Sequence, residues 1–338
     1  TPARLLVADW AVPPPARHET VMALEQSPYA VARQYGVPLW SDRHFRLLER
    51  SLKWLGEIGN DYLVIPVLTG SEFGNGNDAM VRWVRRADGT YACDFSIVER
   101  YLDTAMKHFR PRCVCFVVAH ATDNNLFVKP QVVLRRRGKE PTLLAVPPPG
   151  TQQSAALWRP FVAGVKRTMA ARGLAKATHW GYLWDTMDHS RTGGYVAGTM
   201  KMLAELAPNV GWARGTHRAG KGVKGRNPFT FVSSIYSLPY PVKRKGGLAV
   251  FSHRGWKNPR MHLVLPRVVN TVITVEGPSS PFSYRLAPER ALIAAGRGLA
   301  RIGADYWADT YHAGWRGGVQ VGMPITAVLW PGPEGAEG

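Results

Sequence analysis

One feature constrains the fold more than any other: short β-branched or aliphatic runs alternate with longer segments whose apolar residues recur at helical spacing. Leu5–Trp10 reads as the first strand. Ser41 caps a helix over Asp42–Ile58 that puts Phe45, Leu48, Leu52 and Leu55 on one face, and Gly59 ends it. Asp61–Leu68 reads as strand two, and Ser96–Phe109 as a helix turned inward through Val98, Leu102, Ala105 and Met106. Cys113–His120, strand three, is nearly continuous in apolar residues, which suits a parallel strand buried on both faces. A helix over Ser154–Arg172 ends at Gly173, His179–Asp185 is strand four, and Tyr195–Leu206 is a helix stopped by Pro208. Val210–Thr216, Leu248–Ser252 and Val269–Val275 read as strands five to seven. Pro288–Ile302 reads as a helix closed by Gly303, and Ala304–Trp307 begins strand eight, with Val319–Leu329 as a further contributor.

Such alternation implies a parallel sheet. A doubly wound open sheet is the rival of a closed barrel, but no GxGxxG follows the first strand and no Walker loop is present. The pattern therefore predicts an α/β fold, a (β/α)8 TIM barrel, as one catalytic domain over residues 1–338. A Gly- and Lys-rich stretch near 217–247 reads as an irregular insertion.

Charge bears on partners. The chain carries 43 basic and 24 acidic residues, a formal net charge of +19. The basic residues are scattered; the densest groups, Arg135–Arg136–Arg137 with Lys139 and Lys243–Arg244–Lys245, flank glycines and read as loop tips. A generally basic surface, or affinity for an anionic glycan, accounts for this, and nucleic acid is not the expected partner. No apolar run is long enough for a membrane span. Cys113 and Cys115 are two apart on a strand and share a face; with Cys93 they read as small buried thiols, with no disulfide framework implied. No HxH or HExxH spacing occurs, and neither a metal nor a cofactor is expected.

Barrel enzymes carry their active sites at the C-terminal ends of the strands. In this chain the predicted ends carry Asp9 and Trp10, then Glu72, then His120 with Asp123 and Asn124. Trp184, Asp185, Asp188 and His189 follow strand four, with His217, then His253 and Trp256, and then Glu276 further on. Asp305, Trp307, Asp309, Tyr311 and His312 surround strand eight. Carboxylates, histidines and tryptophans gathered at one rim suit a sugar: indole faces stack on the C–H faces of a pyranose, and carboxylates accept from its hydroxyls. Glycoside hydrolysis needs a carboxylic acid at the leaving oxygen and a second group for the oxocarbenium-like centre.

Several stretches resemble the catalytic barrel of glycoside hydrolase family 123. They are LEQSPYAVARQYGVPLWSDRHFRLLERSLKWLGEIG from Leu24, MVRWVRRADGTYACDFSIVERYLD from Met80, GYLWD at strand four with the helix ending LAELAPNV, and the terminal VLWPGPEG. The resemblance implies an exo-acting, retaining β-N-acetylgalactosaminidase whose substrate bears a terminal N-acetylhexosamine. It also implies an Asp-Glu pair after strand four: the Asp polarises the substrate acetamido, which attacks the anomeric carbon, and the Glu is the general acid. The matching positions here are Asp185 and Thr186.

Asp185 matches the acetamido-orienting Asp, whereas an alcohol at Thr186 does not protonate a glycosidic oxygen usefully near neutral pH. Three accounts follow. The acid comes from elsewhere on the rim, with Asp188, Glu72 and Glu276 as candidates; or Asp185 is itself the acid; or the barrel binds glycans without cleaving them. A glycosidase for an unacetylated sugar is a further alternative. Trp256, Trp307 and Tyr311 are the expected acetamido pocket, with Trp184, Asp9, His120, Asp123, His189 and His253 as further substrate-binding positions.

Overall fold

A computed structural model describes residues 9, 11, 13–71, 73–119, 130–136, 139–182, 194–218, 229–236, 269–272, 298–307 and 328–332. Twelve strands are found among them: β1 Val21–Glu25, β2 Tyr62–Pro66, β3 Arg82–Arg85, β4 Tyr91–Asp94, β5 Cys113–Ala119, β6 Gln131–Arg136, β7 Lys139–Ala145, β8 Thr178–Tyr182, β9 Gly211–Arg218, β10 Phe229–Tyr236, β11 Val269–Val272 and β12 Gly298–Gly303. The helices are α1 Pro28–Gln34, α2 Asp42–Glu57, α3 Ser96–Met106, α4 Gln152–Ala171 and α5 Tyr195–Leu206.

Eight strands form one parallel sheet in the order β1-β12-β11-β10-β9-β8-β5-β2. The two ends of that order meet. Met22 bridges Asn60 in parallel register, and the Asp61 N–H donates to the Met22 carbonyl at 2.7 Å. One side chain completes the seam: Asn60 Oδ1 accepts from Leu24 N–H at 2.9 Å, while its Nδ2 donates to the carbonyls of Leu24 and Tyr62. Arg112 fixes the next residue through Nε on Asp61 Oδ1 at 2.7 Å. The sheet is thus a barrel, as the alternation of strand and helix predicts.

The helices form where local chemistry favours them. Ser27, Ser41 and Thr151 each accept a backbone N–H three residues on and so cap α1, α2 and α4. Gly59, just past α2, sits at φ 75°, the left-handed conformation that lets a chain turn out of a helix. Leu48, Leu52 and Leu55 of α2, Val98 and Leu102 of α3, and Phe161 and Val165 of α4 bury against the outer faces of β2, β5 and β8 through Leu63, Ile65, Val114, Phe116 and Trp180. Phe161 centres an aromatic group, 5.3 Å from Trp158 and 5.7 Å from both Trp83 and Trp180.

Four strands build a second sheet, order β4-β3-β6-β7, from the segments that follow β2 and β5. It docks on α4, where the Trp83 indole donates to the Leu157 carbonyl at 3.0 Å. The sequence reading does not contain this sheet.

Four other expectations need correction. The first barrel strand is Val21–Glu25; Leu5–Trp10 lies outside the described residues except for Asp9, which is exposed at a bend. The sixth is Phe229–Tyr236, a regular strand inside the stretch read as an irregular insertion over 217–247, and Leu248–Ser252 lies outside the described residues. The last is Gly298–Gly303, which the sequence assigns to the end of a helix over Pro288–Ile302. Leu, Ala and Arg favour helix locally, yet parallel pairing with β1 prevails, and a Cβ at Gly298 would fall 1.8 Å from the Val21 carbonyl oxygen. Ala304–Trp307, read as the start of strand eight, therefore follows the strand. Among the described residues, no helix is long and apolar enough to cross a membrane.

Candidate active site

Alternation along a strand decides which side chains face the barrel lumen. On β1, Val21 and Ala23 pack in an inner cluster with Tyr62 and Val64 of β2, Cys113, Cys115 and Val117 of β5, Ala213 of β9 and Ala300 of β12. Leu24 belongs to the outer core. Gln26 also faces outward, where its Nε2 donates to the Leu48 carbonyl on α2 at 3.3 Å and its Oε1 accepts from the Tyr101 hydroxyl of α3 at 2.6 Å. Glu25, between them in phase with Val21 and Ala23, therefore points into the lumen at the C-terminal mouth, and it is only 1% exposed. The sequence reading places strand one elsewhere and passes over this residue, although an apolar run, Val21–Leu24, closed by a carboxyl is the ending expected of a barrel strand at its catalytic end.

The lumen is polar for a barrel interior. Tyr62 has its hydroxyl pushed well above the ordinary phenol value, chiefly by burial, and further by Cys115, Cys113 and Glu25. Burial likewise pushes the Cys113 thiol up. Cys113 and Cys115 are buried thiols that form no disulfide, and they share the inward face as their spacing predicts. His179 pairs with Cys115 in the β5–β8 register, its Nδ1 lies 2.8 Å from the Ala177 carbonyl, and burial lowers its pKa. Gly181 is two residues further along β8; a Cβ there would meet Cys115 Sγ at 2.5 Å, so the neighbouring thiol takes the space a side chain needs.

Two aromatic rings join this cluster from the mouth. Phe73 reaches it from the loop after β2, and Tyr306 from the segment after β12. The Phe73 loop is held by Asn75, whose Oδ1 accepts from the Ser71 N–H and hydroxyl at 2.8 and 2.7 Å and whose Nδ2 donates to the Leu68 carbonyl at 2.8 Å. Glu72 lies in this loop between two buried residues, Ser71 and Phe73, but its own placement is outside the described residues.

Asp305, which also follows β12, is turned the other way. Its Oδ1 accepts from the Ser27 N–H at 2.7 Å. Burial outweighs that bond and the adjacent Ser51 and Gln26 side chains, and the carboxyl is pushed up to about 7. Ser51 and Gln26 belong to the helix layer, so Asp305 lies behind the barrel wall.

Of the positions the sequence singles out, Asp9 is exposed at a bend and does not end a barrel strand. Trp307 donates its indole N–H to the Leu329 carbonyl at 2.6 Å and sits edge-on to Tyr35, just past α1, at 6.0 Å, which binds it into packing around the helix layer. His120, Asp123, Trp184, Asp185, Asp188, His189, His253, Trp256, Glu276 and Tyr311 lie outside the described residues. Asp185 follows the last residue of β8, Tyr182, by three positions. Among the described residues, no cluster of histidine, cysteine and carboxylate side chains could hold a metal ion.

With the mouth defined, comparison with known proteins becomes informative. A family model, the glycoside hydrolase 123 catalytic domain, matches residues 26–215, from the end of β1 into β9. The chain belongs to glycoside hydrolase family 123. A family 123 glycoside hydrolase from Clostridium perfringens, solved in a study of glycolipid glycan hydrolysis, shares the fold at a TM-score of 0.65 and 16% identity. That match covers 90% of this chain and 53% of the Clostridium one, so this family 123 chain spans about half the length of that relative. A family 5 glycoside hydrolase from Bacteroides vulgatus is more distant, at 8% identity and a TM-score of 0.46, covering 82% of this chain and 58% of its own. A Thermotoga petrophila endo-1,4-β-D-mannanase stands at 11% and 0.41, with 84% and 87% covered. No curated protein matches the chain.

Proposed function

We propose that this family 123 barrel is a retaining exo-glycoside hydrolase that removes a terminal N-acetylhexosamine, β-linked N-acetylgalactosamine in the first instance, with the substrate's own acetamido as nucleophile. The observation that carries the reading is the family match over residues 26–215, which includes strand four and the residues after it. Asp185 stays ionised and accepts from the acetamido N–H, holding the carbonyl oxygen under the anomeric carbon. A protonated carboxyl meets the leaving oxygen, an oxazolinium forms, and water opens it with net retention. Trp256 and Tyr311 supply the acetamido pocket, with the Tyr311 hydroxyl donating to the acetamido oxygen; Trp184, His120, Asp123, His189 and His253 bind the rest of the sugar.

Hydrolysis of an aryl N-acetyl-β-galactosaminide is the direct test. Asp185→Asn is expected to lower kcat/KM by about 10²- to 10⁴-fold, the usual range for losing a positioned catalytic group. Turnover unchanged in that variant removes Asp185 from the mechanism. A thiazoline analogue of the oxazolinium is expected to inhibit competitively, and failure to bind favours a direct carboxylate nucleophile.

Thr186 supports a second reading, because the pair after strand four lacks its acid. On that reading the barrel binds glycans without cleaving them. Calorimetric binding of N-acetylgalactosamine with no product released over days distinguishes the two.

A further inference from the structure

The proposed reaction needs a proton donor, and Thr186 does not serve as one. We infer that Glu25, the lumen-facing carboxyl at the C-terminal end of β1, is the general acid/base of this barrel. The inference rests on the hydrolase reading above and goes beyond it by naming the group.

Three observations converge on this residue. First, orientation: Val21 and Ala23 lie in the inner cluster, Leu24 in the outer core, and Gln26 is tied to α2 and α3, which leaves Glu25 facing the lumen. Second, position: it is the last residue of a barrel strand, at the end where active sites of this fold lie, with Phe73 and Tyr306 in the same mouth. Third, burial: a carboxyl 1% exposed occupies a strand position whose inward neighbours on β1 are Val21 and Ala23. Beside the buried Tyr62 hydroxyl, this places an ionisable group in the lumen at the end of the barrel where chemistry is done. The nearby bulge, where β12 inserts Arg301 between the partners of Ala23 and Leu24, is a feature that often borders active sites.

Asp305 is the nearest rival in sequence position along the seam, and geometry excludes it. Its carboxyl bonds the Ser27 amide among groups of the helix layer, with the barrel wall between it and the lumen.

The step balances without an added redox partner. The Glu25 carboxyl gives its proton to the glycosidic oxygen as the bond from that oxygen to C1 breaks. The acetamido oxygen forms its bond to C1, and the aglycone leaves as the alcohol. The Glu25 carboxylate then takes a proton from water as the water oxygen bonds C1 and the oxazolinium ring opens to the acetamide.

Glu25→Gln keeps the shape and removes the acid, and leaving-group dependence reads the role. With a phenyl N-acetyl-β-galactosaminide, whose leaving group needs a proton, kcat/KM is expected to fall by about 10²- to 10⁴-fold. With the dinitrophenyl glycoside, which needs none, the fall is expected to stay within about tenfold. Azide is expected to restore turnover on the dinitrophenyl substrate, with a β-glycosyl azide as product. Equal slowing of both substrates, or no slowing, overturns the assignment while leaving the hydrolase reading intact.

A wild-type chain that cleaves neither substrate overturns the hydrolase reading and the assignment together. If Glu25→Gln does not fold, wild-type protein treated with an N-bromoacetyl-glycosylamine of the same sugar is the substitute. Alkylation is expected at Glu25, in the tryptic peptide His18–Arg33. Alkylation at Glu72, Asp188 or Glu276 instead overturns the proposal.

Discussion

At the scale of single residues, the carboxyl with the most readable consequence is Asp305. Its folded pKa is raised from 3.8 to about 7. The folded chain therefore holds a proton over a range in which the unfolded chain has released it. For such a group the stability it lends is full below the unfolded value and falls as pH rises toward the folded one. Asp305→Asn keeps an oxygen for the Ser27 N–H and removes the titration. Thermal melting is expected to show the variant gaining on wild type from about pH 4, the usual aspartate value, up to about pH 7, the folded value, and holding a constant lead above it. A difference in melting temperature that stays constant across that interval would mean that Asp305 is already ionised in the fold. Residue-level features legible from the sequence are those whose logic is local: Ser41 as a helix cap, and Cys113 and Cys115 on one inward face. Glu25 was missed because its meaning depends on which strand is first, a matter of tertiary pairing. Most of the rim positions named from sequence lie outside the described residues, and Trp307, which does not, is occupied by Leu329 and Tyr35.

At the scale of elements, helices were read better than strands. The start of α2 and the end of α5 agree with the sequence reading because the Ser41 cap and Pro208 sit beside them. Strands β10 and β12 escaped because their composition is ambiguous until a neighbour fixes it, and the β4-β3-β6-β7 sheet escaped because it is two short hairpins, β3–β4 and β6–β7, brought together across residues 95–130. Two substitutions probe elements directly. At Gly164 on α4, helix propensity alone favours Ala by up to about 1 kcal/mol. Its Cβ, however, would stand 2.1 Å from Cε2 of Phe95. Overpacking of this kind costs about 1–3 kcal/mol, so Gly164→Ala is expected to lower the denaturant midpoint; an increase would show that Phe95 moves aside freely. At the barrel seam, Asn60→Ala strips partners from the Leu24 N–H and the Leu24 and Tyr62 carbonyls. At about 1–3 kcal/mol for leaving a buried polar group unpaired, the loss is expected to be at least about 2 kcal/mol in equilibrium unfolding. Asn60→Asp is not a substitute, since it lacks the amide donor.

At the scale of the whole molecule, a net charge of +19 surrounds a mouth that the proposed chemistry fills with a neutral sugar. Long-range fields act on encounter more than on the chemical step. A substrate whose aglycone carries sulfate or carboxylate groups is therefore expected to show a kcat/KM that falls as salt is raised from about 10 mM to about 500 mM, across which the screening length shrinks several-fold. The matching neutral aryl glycoside is expected to be nearly insensitive, and an equal response from both would assign the salt effect to the fold. The wall around that mouth is continuous main-chain ladder from β1 through β12 to β2, and β2 rejoins β1 through a single bridge, the Asp61 N–H on the Met22 carbonyl, backed by the Asn60 side chain. A hoop loosens first where its fastening is shortest. Thermal breathing should thus begin beside Leu24 and spread to Glu25 next to it, admitting water to the lumen from the side. Amide exchange at Leu24 faster than at Val64, on the strand locked to β5, is the expected trace of that loosening.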